Sequence, residues 1–393
     1  MKPISEAIYR QRQKEVARQM EVRGLAGLVF FDTLSQRYLA GAYFIPTERP
    51  IALVLKQEGQ AALFVPYLEE EHARQVEAVD RVHSYPEYPG QRHPMQYLAD
   101  LLEDLDLLGK AIGADRPGYG GFGYRGPGLS EVAEGSTIVP AGDLVETMRM
   151  TKTPEEVEFI RESARWGNLA HRLLQKYSGP GVSEVEASMR ASNEATLEML
   201  RSLGPDFTPQ GSTGAHAGYR GQIGPNSALP HAVTLNAVMK PGDTLVTGAS
   251  ADIWGYHSEL ERTMFVPPVS QEQRTFFQHM LALQEIAFNA IRPGKPCSAV
   301  DEACNAYIEK HGLQKYWRHH TGHNIGLNYH EPPFLDVGDH TLLEEGMLFT
   351  VEPGLYVPGL GGFRHSDTVL VVKGGIEFIT DYPRDWQSLL VGS

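Results

Sequence analysis

Two carboxylates placed two residues apart, Glu259 and Glu261, are the most informative chemical feature of this sequence. On a regular strand, residues i and i+2 point to the same face, so both side chains would enter one pocket. Two close carboxylates cannot both stay ionised cheaply unless a cation lies beside them. A cationic substrate group, a protonated histidine or a metal ion would serve, and such a pocket suits acid/base chemistry.

These carboxylates belong to the stretch Asp243–Thr263, which predicts a β-hairpin. An apolar run extends to Gly248, a four-residue segment with the Asp-first, Gly-last pattern of a tight turn follows, and a second strand-like run comes next. With Ile253 and Trp254 at the tip, Gly248 would lie opposite Glu259, and opposite residues on paired strands share a face. The sequence therefore concentrates its chemistry on this hairpin.

Other polar motifs accompany the hairpin: Gly224–His231, His320–His323, Tyr329–Pro332, Val351–Gly354 and Gly362–Asp367. Together they resemble the creatinase/prolidase or pita-bread hydrolases, the M24-type family that includes Xaa-Pro peptidases, methionine aminopeptidases and creatinase. The resemblance covers nearly the whole chain. It implies a creatinase-type N-terminal domain and a C-terminal pita-bread catalytic domain.

The family resemblance also raises a question about metals. In the peptidases five side chains hold two metal ions, and those positions fall here on Gly248, Glu259, His323, Glu352 and Ser366. Glycine and serine cannot replace bridging carboxylates, so one of the two metal sites should be absent. Glu259, His323 and Glu352 remain as a set for one divalent transition metal. The alternative, which we expect, is that these three residues hydrogen-bond each other and that no metal is required.

Creatinase is a metal-free relative, and its pattern implies catalytic roles for His231, Glu261 and Glu352. His231 would act as the acid/base, since neighbouring carboxylates favour the cationic form of a histidine. Glu261 stands where the peptidases commonly have threonine, as in creatinase. His323 and His330 complete the predicted catalytic set, and His330 matches the peptidase histidine that supports the tetrahedral intermediate.

Three residues are candidates for substrate binding. Arg364 would bind a substrate carboxylate bidentately, or would instead pair with Asp367 and nearby carboxylates. Tyr256 is a candidate substrate contact, with packing as its alternative. Arg49 matches a creatinase arginine that reaches the site of the partner subunit, which implies a homodimer.

The hydrophobic content, net charge and cysteine count indicate which classes of protein fit this chain. The chain has 393 residues, 41% of them hydrophobic and 9% aromatic, which suffices for two or three domains with sizeable cores. The net charge is -14 and there is no basic block, which disfavours nucleic acid and anionic membranes as partners and favours a small-molecule substrate. The two cysteines, Cys297 and Cys304, are too few for a disulfide framework, and no run reaches the length of a membrane span. We therefore expect a cytoplasmic protein.

The order of elements predicts an α/β (α+β) chain with two domains, residues 1–150 and 151–393. In the first, an amphipathic helix over 5–23 precedes short apolar strands at 28–31, 51–55 and 61–65, and helical segments at 67–78 and 94–108. The second opens at Thr153, where Pro154 and Glu156 complete a helix-start signal. It continues with helices over 154–177, 183–203, 270–292 and 298–312.

These features predict a hydrolase that cleaves a C–N bond, of amidine or amide type, in a small carboxylate-bearing metabolite without a required metal. One alternative is an Xaa-Pro dipeptidase or aminopeptidase with a mononuclear metal site. A second alternative is a non-catalytic binding homologue, because a fold does not guarantee an activity.

Overall fold

The computed structural model describes residues 2–210 and 214–392. Contacts within the chain define two compact units, one formed by Pro3–Met148 and the other mainly by Arg149–Ser393. Both units combine helices with β-sheet, so the predicted α/β class is confirmed. No helix in the described ranges is long and apolar enough to cross a membrane.

The N-terminal unit is built on one mixed sheet. Its elements are α1 (Glu6–Arg23), β1 (Gly27–Phe30), α2 (Thr33–Ala40), β2 (Ala52–Lys56), β3 (Ala61–Pro66), α3 (Glu70–Ala73), β4 (Arg81–Tyr85), α4 (Pro94–Asp104), β5 (Ala111–Ala114), α5 (Leu129–Val132), β6 (Thr137–Pro140) and α6 (Asp143–Met150). The strand order is β4-β3-β2-β1-β5-β6. Strand β2 is antiparallel to both neighbours, and the other pairs are parallel.

Local signals set several boundaries in this unit. Helix α1 ends where Gly24 adopts a left-handed conformation, with φ of 66°, as predicted from its sequence position. The helix predicted over 67–78 is shorter, a 3₁₀ turn at Tyr67–Glu69 followed by α3, because the chain turns back so that β4 can pair with β3.

The C-terminal unit carries the larger sheet. Its elements are α7 (Pro154–Tyr177), α8 (Glu184–Leu203), β7 (Ala215–Gly218), β8 (Thr244–Val246), β9 (Gly248–Ala251), β10 (Leu260–Glu261), β11 (Thr263–Phe265), α9 (Gln271–Ala290), α10 (Ser298–His311), β12 (Gly322–Asn324), β13 (Glu331–Leu335), β14 (Leu348–Val351), β15 (Gly354–Val357), β16 (Gly361–Arg364), β17 (Ser366–Val372) and β18 (Gly375–Phe378). Helix α7 starts with a capping box in which Thr153 and Glu156 each accept the other's backbone N–H, as predicted.

The order in the large sheet is β13-β12-β14-β17-β10-β9-β7, with β18 beside β17. Strands β8 and β11 form a separate pair, as do β15 and β16. The main sheet therefore brings together strands that are far apart in the sequence, from β7 at residue 215 to β17 at residue 366.

The hairpin exists, but its predicted register is wrong by two residues. Ile253 and Tyr256 exchange two backbone hydrogen bonds, which puts Trp254 and Gly255 at the tip. Both tip residues have positive φ, 52° and 85°, as a type I′ hairpin turn requires. Leu260 consequently pairs with Ala249. A shift of two residues preserves the side-chain face, so the carboxylates still enter the predicted pocket.

Candidate functional site

Neighbouring strands of the large sheet present the candidate residues side by side. In sheet order, these residues are His330 before β13, His323 on β12, Glu352 after β14, Ser366 on β17, Glu259 and Glu261 at β10, and Gly248 on β9. Glu261 lies directly opposite Ser366 in the β10–β17 register. The sheet thus collects all five positions that the family resemblance assigned to metal binding.

Three of these residues form one compact donor set. One potential ligand atom from each of Glu259, His323 and Glu352 lies within 4.8 Å of the others. The His323 Nε2 atom is 3.0 Å from a Glu352 oxygen. One histidine and two carboxylates are a donor combination found in mononuclear divalent-metal sites.

The His323 ring is prepared to bind a metal ion. Its Nδ1–H donates to the backbone carbonyl of Asn324 over 3.0 Å, which directs Nε2 toward the two carboxylates. Burial opposes protonation of the ring, but the contact with Glu352 and the charge of Glu259 raise the pKa of His323 to about 9, so in the metal-free protein Nε2 carries a proton that a metal ion would displace. Nε2 is buried and makes no hydrogen bond of acceptable geometry to a described residue, although Glu352 is close. A backbone contact that fixes the tautomer of a ligating histidine is a usual feature of metal sites. The three residues therefore fit a single divalent ion.

The charges in this set also favour a cation. Burial, together with the negative charges of Glu352 and Glu261, raises the pKa of Glu259. The pKa of Glu352 is lowered, because its contact with His323 outweighs the opposing effect of burial. The carboxylates are thus crowded enough that one of them favours its protonated form, and a cation between them would displace that proton.

The other half of the family site does not fit a second ion. Gly248 offers no ligand, and the Ser366 hydroxyl donates to a Glu259 oxygen over 2.7 Å. A Cβ built on Gly248 would meet a Glu261 oxygen at 3.6 Å, so the Glu261 carboxylate lies beside the place of the missing side chain. That carboxylate is held by Arg364, whose Nε and Nη2 both donate to it, the second over 2.7 Å. An arginine–carboxylate pair therefore stands where the family has part of its second metal site.

This pairing agrees with the alternative predicted for Arg364, in which it pairs with a nearby carboxylate instead of binding the substrate. Its partner is Glu261 rather than Asp367, which instead accepts from the fully buried Arg262 over 2.8 Å. The Arg364 Nη1 donates to the Tyr356 hydroxyl and to the Pro230 carbonyl, over 2.8 Å and 3.3 Å. Four of its five N–H donors are thus used inside the protein, so it has little capacity left for a substrate carboxylate.

The Tyr356 hydroxyl connects Arg364 to a histidine, His319, through hydrogen bonds. His319 Nδ1 donates to the backbone carbonyl of His320, so the neutral ring accepts from Tyr356 at Nε2 over 2.8 Å. Burial lowers the pKa of His319 to about 4, which agrees with a neutral ring. His319 therefore has a structural role in holding the Glu261–Arg364 pair.

The remaining substrate-binding candidates also have partners within the fold. Tyr256 is 2% exposed, its hydroxyl donates to Glu156 over 2.7 Å, and its ring packs on Phe159. Its prediction as a substrate contact is thereby corrected to packing, because hydroxyl and ring are both used against α7. In the N-terminal unit, Arg49 Nε donates to Glu87 over 2.7 Å.

The two predicted catalytic histidines outside the donor set differ in their surroundings. The His330 ring stacks on His323, with ring centres 3.9 Å apart, and His330 lines the cavity described next. His231 is exposed, makes no hydrogen bond to a described residue, and is not among the described residues that line the cavity. His231 as the acid/base stays a prediction.

A cavity of about 430 Å³ opens in front of this site. Its described lining consists of His216, Ala217, Gly218, Arg220, Gly248, Ala249, Ser250, Glu259, Glu261, Tyr329 and His330. No sequence motif marks Arg220, which follows β7 and precedes Gly221 in a turn. Only the sheet order reveals that this turn reaches the site.

Comparison with known proteins places this geometry in a family. Residues 158–373 match the sequence model of metallopeptidase family M24, and residues 12–151 match that of the creatinase/prolidase N-terminal domain. These matches confirm the predicted combination of a creatinase-type domain and a pita-bread domain.

Individual relatives agree. An uncharacterised peptidase of Bacillus subtilis, YqhT, is 30% identical over 291 residues, which cover 74% of this chain and 78% of the relative. The Xaa-Pro dipeptidase of Pyrococcus furiosus is 32% identical over 243 residues, 62% of this chain and 66% of that protein. Among solved structures, an Xaa-Pro dipeptidase from Bacillus anthracis is 27% identical, with a TM-score of 0.79 and coverage of 98% of this chain and 100% of that one.

Proposed function

The chain belongs to metallopeptidase family M24, and from this membership we propose that it hydrolyses a peptide-type C–N bond in a small substrate at a centre with one divalent ion. The observation that carries the proposal is the donor set of Glu259, His323 and Glu352, with the buried Nε2 of His323 open toward the two carboxylates. A divalent ion in this set would supply Lewis-acid activation of a carbonyl and of water.

Xaa-Pro dipeptides are the substrate class that we propose first. Relatives that bear the name Xaa-Pro dipeptidase are similar to this chain over most of its length. A cavity of about 430 Å³ is of the size that holds a small ligand. The comparisons thus favour the peptidase alternative over the metal-independent interpretation that the sequence suggested.

The side chains around the donor set have separable roles in this proposal. His330 lies beside His323 at the cavity wall, where its ring can donate a hydrogen bond to a substrate oxygen. The Glu261–Arg364 pair is buried and fixed, so it shapes the floor of the site without exchanging protons with the substrate.

A second candidate function follows from the other half of the site. Gly248 and Ser366 remove two carboxylates, and Glu261 takes the place of the threonine common in the peptidases. These changes favour a carboxylate-bearing metabolite with an amidine-type C–N bond, cleaved without a metal. Its acid/base would be His231 or another histidine of the site.

Activity assays on one preparation separate the two candidates. Chelator-treated protein would be reloaded with Mn²⁺, Co²⁺ or Zn²⁺ and given Gly-Pro, Ala-Pro and, as a non-proline control, Ala-Ala. We expect metal-dependent release of proline, and we expect His323→Ala to lower the rate by at least about 100-fold, since even outer-shell changes at metal sites cost 10–100-fold. His72→Ala, an exposed histidine in the N-terminal unit, is the matched control.

Each other outcome has a defined meaning. Turnover of an amidine such as guanidinoacetate in the presence of chelator, without cleavage of Xaa-Pro, would support the second candidate and contradict the first. No turnover of either class would contradict both and favour a non-catalytic binding homologue.

We also propose that the chain is a homodimer and that Arg49 of each subunit contributes to the site of the other, as the resemblance to creatinase implies. Mixing Arg49→Ala with His323→Ala would then restore part of the activity through hybrid sites. Full monomer behaviour in light scattering would contradict this proposal.

A further inference from the structure

Arg220 occupies a backbone position that an arginine rarely adopts. It forms the tip of a two-residue turn with Gly221, closed by a hydrogen bond of 2.9 Å from the Gln222 N–H to the Tyr219 carbonyl. Both tip residues have positive φ, 51° and 75°. Turns of this kind prefer asparagine followed by glycine, because a large side chain is strained in the left-handed region. Strain of this kind tends to be kept where a side chain has a function.

The turn is fixed from several sides. The buried Tyr219 hydroxyl shares a hydrogen bond with Ser178, and the Gly221 N–H donates to the buried carboxylate of Glu184 over 2.6 Å. A side chain on Gly221 would collide with the Val233 carbonyl, since its Cβ would be only 1.9 Å from that oxygen. The backbone at Arg220 therefore has little freedom, and it holds the side chain at the cavity.

The guanidinium of Arg220 is available, in contrast to that of Arg364. Its side chain is 54% exposed and lines the cavity, and its nearest charged contact is a Glu261 oxygen at 3.6 Å. It makes no hydrogen bond to residues 2–210 or 214–392, and Glu261 is already held bidentately by Arg364. Arg220 thus presents a planar set of N–H donors to whatever enters the cavity.

We propose that Arg220 is the substrate-recognition residue of this cavity and that it binds a carboxylate group of the substrate. Paired N–H donors of a guanidinium match the two oxygens of a carboxylate. Arg220 is the one arginine or lysine among the described residues that line the cavity. The anion-binding role that the sequence suggested for Arg364 thereby moves to Arg220.

The rest of the cavity defines the other end of the substrate. Glu259 and Glu261 line it with carboxyl groups that can accept hydrogen bonds, and Tyr329 and His216 add polar side chains. A small molecule that is anionic at one end and cationic or neutral at the other matches this distribution. The inference rests on the proposed function only in taking this cavity as the substrate site, and it covers both a dipeptide and an amidine metabolite.

Binding measurements test the role of Arg220 without turnover. Chelator-treated full-length protein would be titrated by calorimetry with two matched pairs, glycyl-L-proline with glycyl-L-prolinamide, and guanidinoacetate with its amide. We expect at least one carboxylate to bind about tenfold or more tighter than its amide, the usual effect of a hydrogen bond to a charged group. Arg220→Asn should abolish this preference while leaving the fold intact, because asparagine before glycine suits the turn.

Two further variants sharpen the result. Arg220→Lys should keep part of the preference, since it keeps the charge but loses the paired donors. Arg190→Gln, which removes an exposed arginine of α8, should behave as the parent. If Arg220→Asn keeps the full preference, or if the parent binds carboxylates and amides equally, the inference is overturned. Absence of Xaa-Pro cleavage combined with an Arg220-dependent preference would overturn the proposed peptidase function alone.

Discussion

The two halves of the site neutralise their buried carboxylates in different ways. In one half, Glu259, His323 and Glu352 converge within 4.8 Å, and the buried His323 Nε2 has no hydrogen bond to a described residue. In the other half, Glu261 is paired with Arg364, and both side chains are at most 5% exposed. The positive charge of the first half is a proton on His323 that a metal ion could displace, whereas that of the second half is the fixed guanidinium of Arg364.

Under the proposed function, this difference indicates how a dinuclear site is reduced to a mononuclear one. Loss of the carboxylates at positions 248 and 366 would leave the neighbouring arginine without a counter-ion. Glu261, from the strand next to Gly248, supplies the negative charge in their place. The Glu261–Arg364 pair therefore balances its own charge.

Rebuilding the second half should have the largest effect. We expect the triple variant Gly248→Asp, Glu261→Thr and Ser366→Glu to bind one more equivalent of Co²⁺ or Mn²⁺ than the parent, because it restores carboxylates on both sides of the gap. Gly248→Asp alone should add none, since its carboxylate would lie against Glu261. Atomic absorption after dialysis measures both. If a well-folded triple variant binds the same number of metal ions as the parent, residues 248, 261 and 366 do not account for the difference between the two halves.

Glutamate-to-glutamine changes in the two halves should have different effects on the free energy of unfolding. We expect Glu261→Gln to lower the free energy of unfolding by about 3 kcal/mol, because it leaves the buried Arg364 without its charge partner. Glu259→Gln should leave the metal-free protein at least as stable as the parent at neutral pH. The folded state raises the pKa of Glu259, so its ionised form costs stability above the pKa of the unfolded chain.

Urea denaturation of the chelator-treated variants provides the measurement. If Glu261→Gln and Glu259→Gln lower the free energy of unfolding equally, the two halves do not differ electrostatically and this prediction is wrong. Exposed Glu272→Gln on α9 serves as the control for a glutamate change that breaks no buried pair.

The smallest effect is expected at the hydrogen-bond chain behind Arg364. Tyr356→Phe removes the hydroxyl that accepts from Arg364 and donates to His319, at a cost of about 1 kcal/mol. Metal binding by the first half should not change. A loss of metal affinity in this variant would mean that the two halves are coupled more tightly than their contacts indicate.

Local sequence signals predicted much of the fold. The capping box at Thr153 starts α7 at Pro154 as expected, and Gly24 ends α1 through its left-handed backbone. The two carboxylates of the hairpin face one pocket as their spacing predicts. Such features depend on neighbours within a few residues, which a sequence displays directly.

Pairings across the sheet could not be read in the same way. Arg364 bonds to Glu261, 103 residues away, and Arg262 bonds to Asp367, so two adjacent ion pairs connect the same two strand regions. The sequence alone does not fix which arginine takes which carboxylate. The hairpin register also depended on whether the turn places Trp254 and Gly255 at its tip, as observed, or Ile253 and Trp254, as predicted. No motif marks Arg220, because its place at the cavity follows from strand order.

The number of metal ions that the parent chain binds decides whether the site is mononuclear. Chelator-treated protein would be titrated with Co²⁺ and followed by calorimetry, with His323→Ala as the reference for loss of the donor set. We expect saturation at one ion per chain and loss of that binding in His323→Ala. Saturation at two ions per chain would contradict it.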